Sequence, residues 1–506
     1  MTTSHALFEL IKSLNKAERR HFSNYSKLHS EANKNYSHLF LAVDRQNKYD
    51  ESKLLSQLKN ESYTHYFPVA KNYLYSRIMD SLSNFHRDIS TNSKVRTMIQ
   101  QIELLQRKGL YSHSKKIIRK AKKIAYEEEL HSALLEIISV WEQNILLEKY
   151  ELGETEKLND EIKNILSLLN ESSVCNYVFL KMLGFYYAYF QTRSKKYLKG
   201  ASDTIKRPDF IRASNTKTYK GRQRAIEANM FYWYIRGNLN KVSYFAKKGI
   251  EHNFDHPLGL KRDCKQYFIL LNNFFVITME QKNYGEAQLI LKKFDGVVHL
   301  AKTYSQKGGF YYTYNNCLIY YLRVTGDLRK LEKEMPAVLK EVDVYKKDIN
   351  LHDRAVLLSN IAVSYFYLSN YKKCIFLLNK MKTEYDLSNH PELQYGYYLL
   401  TLIAHYEAGN YDVLPYSLQA FYRFIKKKKH ITKLEKQIIA LCRKLINART
   451  ENEIIEELKE FRKILVHLKD DYVSHHISKF FDVLSWIDSK IGDREFSKVV
   501  NEGNSK

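Results

Sequence analysis

The sequence predicts an all-α fold, a solenoid of helix pairs behind a small N-terminal helical domain, with almost no strand. Three observations carry that prediction. Glycine and proline are scarce, 17 and 6 of 506 residues, whereas turn-rich β folds and glycine-dependent nucleotide folds need them. Apolar residues recur at helical spacing rather than alternating. One phrase returns along most of the chain: an aromatic and apolar stretch, a short turn, then an amphipathic stretch. With 44% hydrophobic residues, the chain has enough apolar material for a large core.

Residues 1–92 do not follow the repeat and read as short helices. Asn15 to Glu18 has the form of a capping box, in which each end of the first turn satisfies the other's backbone N–H. Asp50 is placed to cap a helix through Leu54, Leu55 and Leu58. Val69 to His86 reads as a longer helix with Tyr73, Ile78, Leu82 and Phe85 on one side. Ser90 to Lys94 is polar and aperiodic, so it marks the expected boundary between domains 1–92 and 93–506. Residues 1–92 contain no glycine for the tight turn of a helix-turn-helix. The segment therefore reads as a cap over the first repeat; a module acting on DNA or on a signalling partner is the alternative.

From residue 93 the repeat takes over. Its clearest copy is Asn360 to Met381, NIAVSYFYLSNYKKCIFLLNKM, and further copies start at Glu103, Met230, Asn273, Asn316 and Ile403. Including weaker copies, the turns fall at 109, 153, 195, 237, 282, 326, 369, 409, 450 and 492, with gaps of 40 to 45 residues. Ile361, Tyr365 and Leu368 line one helix; Cys374, Leu378 and Met381 line the next. Neither helix can bury its face alone, so about ten hairpins must stack. Gly200 to Gly221, with Pro208 and a Ser/Thr/Asn cluster, reads as a long loop between repeats. Shorter breaks are expected at His252 to Gly259 and at Leu387 to Pro391.

The repeat resembles the tetratricopeptide family. That family sets a small residue and an aromatic on the first helix, a Gly-Asn/Asp-Tyr turn, and a small residue early on the second. Those roles fall on Ala362, Tyr365, Ser369-Asn370-Tyr371 and Cys374. Asn283-Tyr284 and Ala287 fit the turn and the small contact; Gly326-Asp327-Leu328 and Gly409-Asn410-Tyr411 fit the turn. The period exceeds the family's 34 residues, which implies longer helices; the Trp-x-x-Leu-Gly opening and the repeat-ending proline are absent. Over residues 93–506 the resemblance implies a right-handed α-solenoid that acts as a non-catalytic scaffold for proteins or peptides.

Lys and Arg number 81 against 56 Asp and Glu, a net charge of +25. The excess is concentrated: residues 107–123 carry +8, residues 193–224 carry +9 and residues 423–449 carry +9. A coding bias toward Lys, Asn, Ile and Tyr would spread it evenly. In the first segment Lys115, Lys116, Arg119, Lys120, Lys122 and Lys123 face away from Ile117, Ala121 and Ile124. The second holds Lys217, Lys220, Arg222 and Arg224 around Tyr219. The third holds Lys426, Lys427, Lys428 and Lys429, a run that suits a helix end. Such faces most often only solvate. Their functional readings are contacts to nucleic-acid phosphates or to an anionic lipid surface.

No nucleotide, metalloprotease or hydrolase motif is present, and the sequence makes no case for an enzyme or a cofactor. His252 and His256 are four apart, but Pro257 follows and no third ligand is evident, so they read as ordinary loop histidines. His475 and His476 read as surface or satisfied core. Five widely spaced cysteines without a C-x-x-C indicate a reducing compartment. The start has no basic n-region, and no apolar run approaches the length of a membrane span. A cytoplasmic protein is expected.

The partner-binding candidates are asparagines. Asn273, Asn316 and Asn360 stand 10, 11 and 10 residues before Asn283, Asp327 and Asn370, nearly equivalent places on three successive first helices. Asn272 and Asn315 adjoin two of them. An asparagine amide both donates and accepts, as gripping extended backbone requires; bridging between neighbouring helices is the alternative. Tyr320 and Arg323, one turn on, add stacking and charge. In the resembled family first helices line the groove, which implies a peptide groove between residues 270 and 370. The basic segments bias it toward acidic ligands and leave nucleic acid as a second partner class.

Overall fold

The computed structural model describes residues 3–28, 33–59, 61–88, 90–147, 152–192, 194–385, 387, 391–426, 433–448, 450–467 and 481–504. The fold is all-α, and no strand occurs among the described residues. No helix there is long and apolar enough to cross a membrane. The chain divides into two compact units, 1–169 and 170–506.

The first unit holds α1 (Thr3–Ser13), α2 (Lys16–Leu28), α3 (Asn33–Arg45), α4 (Glu51–Gln57), α5 (Phe67–Phe85), α6 (Thr91–Arg107), α7 (Tyr111–Glu127), α8 (His131–Leu147) and the start of α9 (Leu152–Thr192). It has two cores. One gathers Leu7, Ile11, Leu39, Val43, Leu54 and Leu74; the other gathers Val95, Ile102, Ala121, Leu134 and Ile165. The boundary expected near residue 92 falls between these cores, inside the unit. Ser90 to Lys94 opens α6: the Ser90 side chain accepts the Ser93 N–H and caps the helix. The capping box exists, with Glu18 accepting the Asn15 N–H at 2.8 Å and Asn15 accepting the Glu18 N–H at 3.0 Å. Asp50 caps α4 through the Lys53 N–H.

The second unit continues with α10 (Lys195–Ile205), α11 (Pro208–Ala213), α12 (Tyr219–Ile235), α13 (Leu239–Asp255), α14 (Pro257–Arg262), α15 (Cys264–Glu280), α16 (Tyr284–Val297), α17 (Tyr304–Thr325), α18 (Leu328–Val344), α19 (Leu351–Tyr367), α20 (Tyr371–Glu384), α21 (Pro391–Glu407), α22 (Leu414–Lys426), α23 (Lys433–Asn447) and α24 (Glu451–His467). Two terminal helices follow, Val483–Ile491 and Phe496–Asn504. Helices pair as α12 with α13, α15 with α16, α17 with α18 and α19 with α20, and α15, α17, α19 and α21 pack successively side by side.

The recurring turn has a physical cause. Gly237, Lys282, Gly326 and Ser369 all take positive φ, from 54° to 77°, which ends the first helix. The next residue opens the second. Asn238, Asn283, Asp327 and Asn370 accept the N–H three residues on at 3.0, 3.1, 3.2 and 3.1 Å. Each such cap contributes about 1 kcal/mol. The Asn238, Asn283 and Asn370 backbone N–H groups reach back to Trp233, Thr278 and Tyr365 carbonyls, so one residue serves both helices.

Two expectations need correction. Gly153 lies in the first turn of α9, which runs unbroken to Thr192. The period left room there for two helices, but no glycine or proline between 154 and 183 breaks the chain. Gly200 to Gly221 is not a loop: Pro208 occupies the first turn of α11, where its missing N–H costs nothing, and Thr218 caps α12. The two C-terminal helices, separated by the expected turn at Gly492, also pack back on the repeat. Phe481 lies 4.9 Å from Phe366, and Phe496 lies 4.7 Å from Tyr367.

Candidate functional site

α15, α17 and α19 hold the asparagines because their buried faces lock the helices together. Cys264, Phe268, Phe275, Ile319, Leu322, Ile361 and Ala362 belong to one continuous core. Asn272, Asn316 and Asn360, from these three helices, line a cavity of about 490 Å³ together with Tyr320 and Arg323. Asn360 Nδ2 donates to Asn316 Oδ1 at 2.9 Å, and Asn316 Nδ2 donates to the Tyr312 carbonyl at 3.0 Å. Asn272 Oδ1 accepts the Cys317 thiol at 3.5 Å. The ladder thus bridges neighbouring helices. Two groups stay uncommitted among the described residues, the Asn272 Nδ2 donor and the Asn360 Oδ1 acceptor.

The register differs from the expected one at two residues. Asn272, Asn316 and Asn360 follow one another at equal steps of 44, and Asn273 opens into the adjoining cavity instead. Asn315 turns away toward α18 and donates to Glu341 Oε2 at 2.7 Å. Burial raises the Glu341 carboxyl pKa, and the Asn315 bond opposes it. The adjoining cavity, about 560 Å³, is walled by Phe179, Tyr186, Phe231 and Tyr234. Ile269 and Val276 line both cavities, so the two adjoin along α15.

Arg323 is 3% exposed. Its Nη1 donates to the Asn360 carbonyl at 3.3 Å, and its guanidinium carbon lies 5.4 Å from the Tyr320 and Tyr367 ring centres. No carboxylate among the described residues lies within 4.0 Å of it. Burial lowers its pKa, with Tyr367 and Tyr320 acting in the opposite sense. Arg224, in the other cavity, pairs with Glu227 at 2.7 Å and stacks 4.2 Å from Phe179. Three carboxylates also line the first cavity, Asp348 and Asp353 together with Glu280, which acts on Tyr320. Burial, aided by Asp353, raises the Tyr312 phenol well above its ordinary value.

Tyr367, Tyr312 and Phe179 escaped the sequence reading, and Arg224, read there as part of a basic segment, lines a cavity instead. The spacing held a signal for Tyr367, which follows Arg323 by the same 44 residues that separate Asn316 from Asn360. Among the basic residues, Lys116, Arg119, Lys120 and Lys123 are exposed on α7 and Lys115 is half-buried. Lys122 is tied to Glu161 at 2.7 Å and lies 4.0 Å from the Trp141 ring. Lys217 and Lys220 are exposed, whereas Arg222 bonds the Ser214 carbonyl and Asn215. Lys426 ends α22; Lys427, Lys428, Lys429, His475 and His476 lie outside the described residues. His252 sits within α13 and shares a bond with the Tyr219 carbonyl, and His256 bonds the His252 carbonyl.

No protein-family model matches the chain, and comparison with curated proteins and with solved structures finds no significant match.

Proposed function

We propose that the chain is a non-catalytic helical-repeat scaffold, built on a tetratricopeptide-like plan, that binds an extended peptide in the groove along α15, α17 and α19. The observation that carries this reading is the asparagine ladder bordering one cavity, with a donor on Asn272 and an acceptor on Asn360 left uncommitted. An extended backbone offers the complementary pair at every residue. Along α17 the cavity runs from Gly309 to Arg323, roughly 21 Å at 1.5 Å per helical residue. That length accommodates about six extended residues.

The exposed basic stripe of α7 supports a second reading, nucleic-acid binding. Affinity selection of a random hexapeptide pool on the full chain, run beside a gel-shift series with single- and double-stranded oligonucleotides over a salt range, separates the two. Peptide enrichment without an oligonucleotide shift at about 100 mM salt, where phosphate contacts still hold, is expected. A salt-sensitive shift with no peptide enrichment would overturn the peptide reading.

A further inference from the structure

Two arginines border the groove, and they differ in one respect. Arg224 is neutralised by Glu227, which is itself held by Gln223 at 3.0 Å and Gln266 at 2.7 Å. Arg323 is more deeply buried and has two aromatic rings and one carbonyl where Arg224 has a carboxylate. Taking a guanidinium out of water without an opposite charge is costly. A single carbonyl bond leaves most of its five donors to be satisfied from the cavity. The neighbouring chamber is the converse case. Its Arg224–Glu227 ion pair is internally balanced, and rings form much of its wall, Phe179 lying 6.0 Å and Tyr186 5.4 Å from Phe231. Ile269 and Val276, where the cavities meet, are 40% and 36% exposed, apolar surface that a ligand would cover.

Resting on the peptide-groove reading, we propose that the ligand is a peptide with two features: a carboxylate that pairs with Arg323, and a bulky apolar side chain that fills the aromatic chamber. A carboxylate fits the fork of a guanidinium through two parallel bonds. Glu280, Asp348 and Asp353 line the same cavity and oppose a dianionic phosphate more strongly than a single carboxylate. The carboxylate belongs either to an Asp or Glu side chain or to a free C-terminus, and the chemistry at Arg323 is the same.

The test uses random hexapeptide pools in two forms, C-terminal acid and C-terminal amide, selected on the full chain and on Arg323→Met and Ile269→Trp variants. The intact chain should enrich aromatic or large aliphatic residues together with either internal Asp and Glu in both pools or acid-ended over amide-ended peptides. Arg323→Met should lose the acidic preference and weaken binding about tenfold or more, keeping the apolar preference. Ile269→Trp should do the reverse. Arg323→Met replaces a buried charge by an apolar side chain, a change that proteins often tolerate; if that variant does not fold, the enrichment on the intact chain decides. Retained peptides with no acidic enrichment, or an unaltered preference in Arg323→Met, overturn this proposal alone. A chain that retains no peptide overturns the peptide-groove reading and this proposal with it.

Discussion

Asn316 and Asn360 stand 44 residues apart and are joined by a hydrogen bond of 2.9 Å between α17 and α19. The same two helices are joined again where the Arg323 guanidinium meets the Tyr367 ring and the Asn360 carbonyl. A side-chain pair across the interface fixes register, because sliding one helix past the other leaves the Asn360 donor and the Asn316 acceptor unsatisfied. A double-mutant cycle on Asn316→Ala and Asn360→Ala should give a coupling of about 0.5–1.5 kcal/mol in urea unfolding. A coupling of zero would mean the bond adds nothing to the interface.

The left-handed turns make a prediction of opposite sign at different positions. Lys282 and Ser369 adopt φ of 55° and 54° with a Cβ present, where Gly326 adopts 77° without one. A side chain in that region costs about 1 kcal/mol or more, offset in part by the entropy of a more flexible unfolded chain. Ser369→Gly should raise the unfolding free energy by up to about 1 kcal/mol, and Gly326→Ala should lower it by a similar amount. Paired thermal melts check both.

Ala362 and Cys374 are fully buried on the facing helices of the α19–α20 hairpin. Interiors are close-packed, so a larger residue displaces its neighbours. Ala362→Leu should cost about 1–3 kcal/mol. An unchanged thermal midpoint would show that the crossing has room to spare.

One histidine should make stability depend on pH. His405 is partly buried, and its Nδ1 lies 3.1 Å from the Asn410 amide nitrogen across the Gly409 turn. Burial holds its pKa below the ordinary 6.5, with Asp412 opposing. The unfolded chain therefore takes up the proton first. The contribution is fully present above the ordinary imidazole value and is lost as the pH falls below it, through the folded value. Denaturant midpoints measured from pH 8 to 5 should fall in that window, and His405→Gln should flatten the fall attributable to this site.

The fold was largely legible because two signals point the same way. Scarce glycine and proline left the period to show through, and each Asn or Asp after a turn doubles as a cap. The reading failed where local chemistry was ambiguous. Serine and threonine between 200 and 221 look like loop formers, yet Thr218 is there to cap a helix. The α9 stretch kept the period on paper without a residue to break it. At the site, the spacing brought Asn316, Asn360, Tyr320 and Arg323 together, but it set Asn273 in line with Asn316 and Asn360, where Asn272 shares their cavity and Asn273 lines the adjoining one. A shift of one residue turns a helical side chain by about 100°, enough to move it into the next cavity. That Arg323 lacks an acid, and that Tyr367 covers it, depends on burial that spacing alone does not reveal.

The central claim is that a peptide lies along α15, α17 and α19. Photo-crosslinking tests it most directly: a peptide selected from the random pool is resynthesised with a benzoylphenylalanine at each position in turn, and the cross-linked residues are mapped by mass spectrometry. The account predicts adducts at Ile269, Val276, Tyr312 and Tyr320. Adducts confined to the basic face of α7, or to other surfaces away from these three helices, would contradict it.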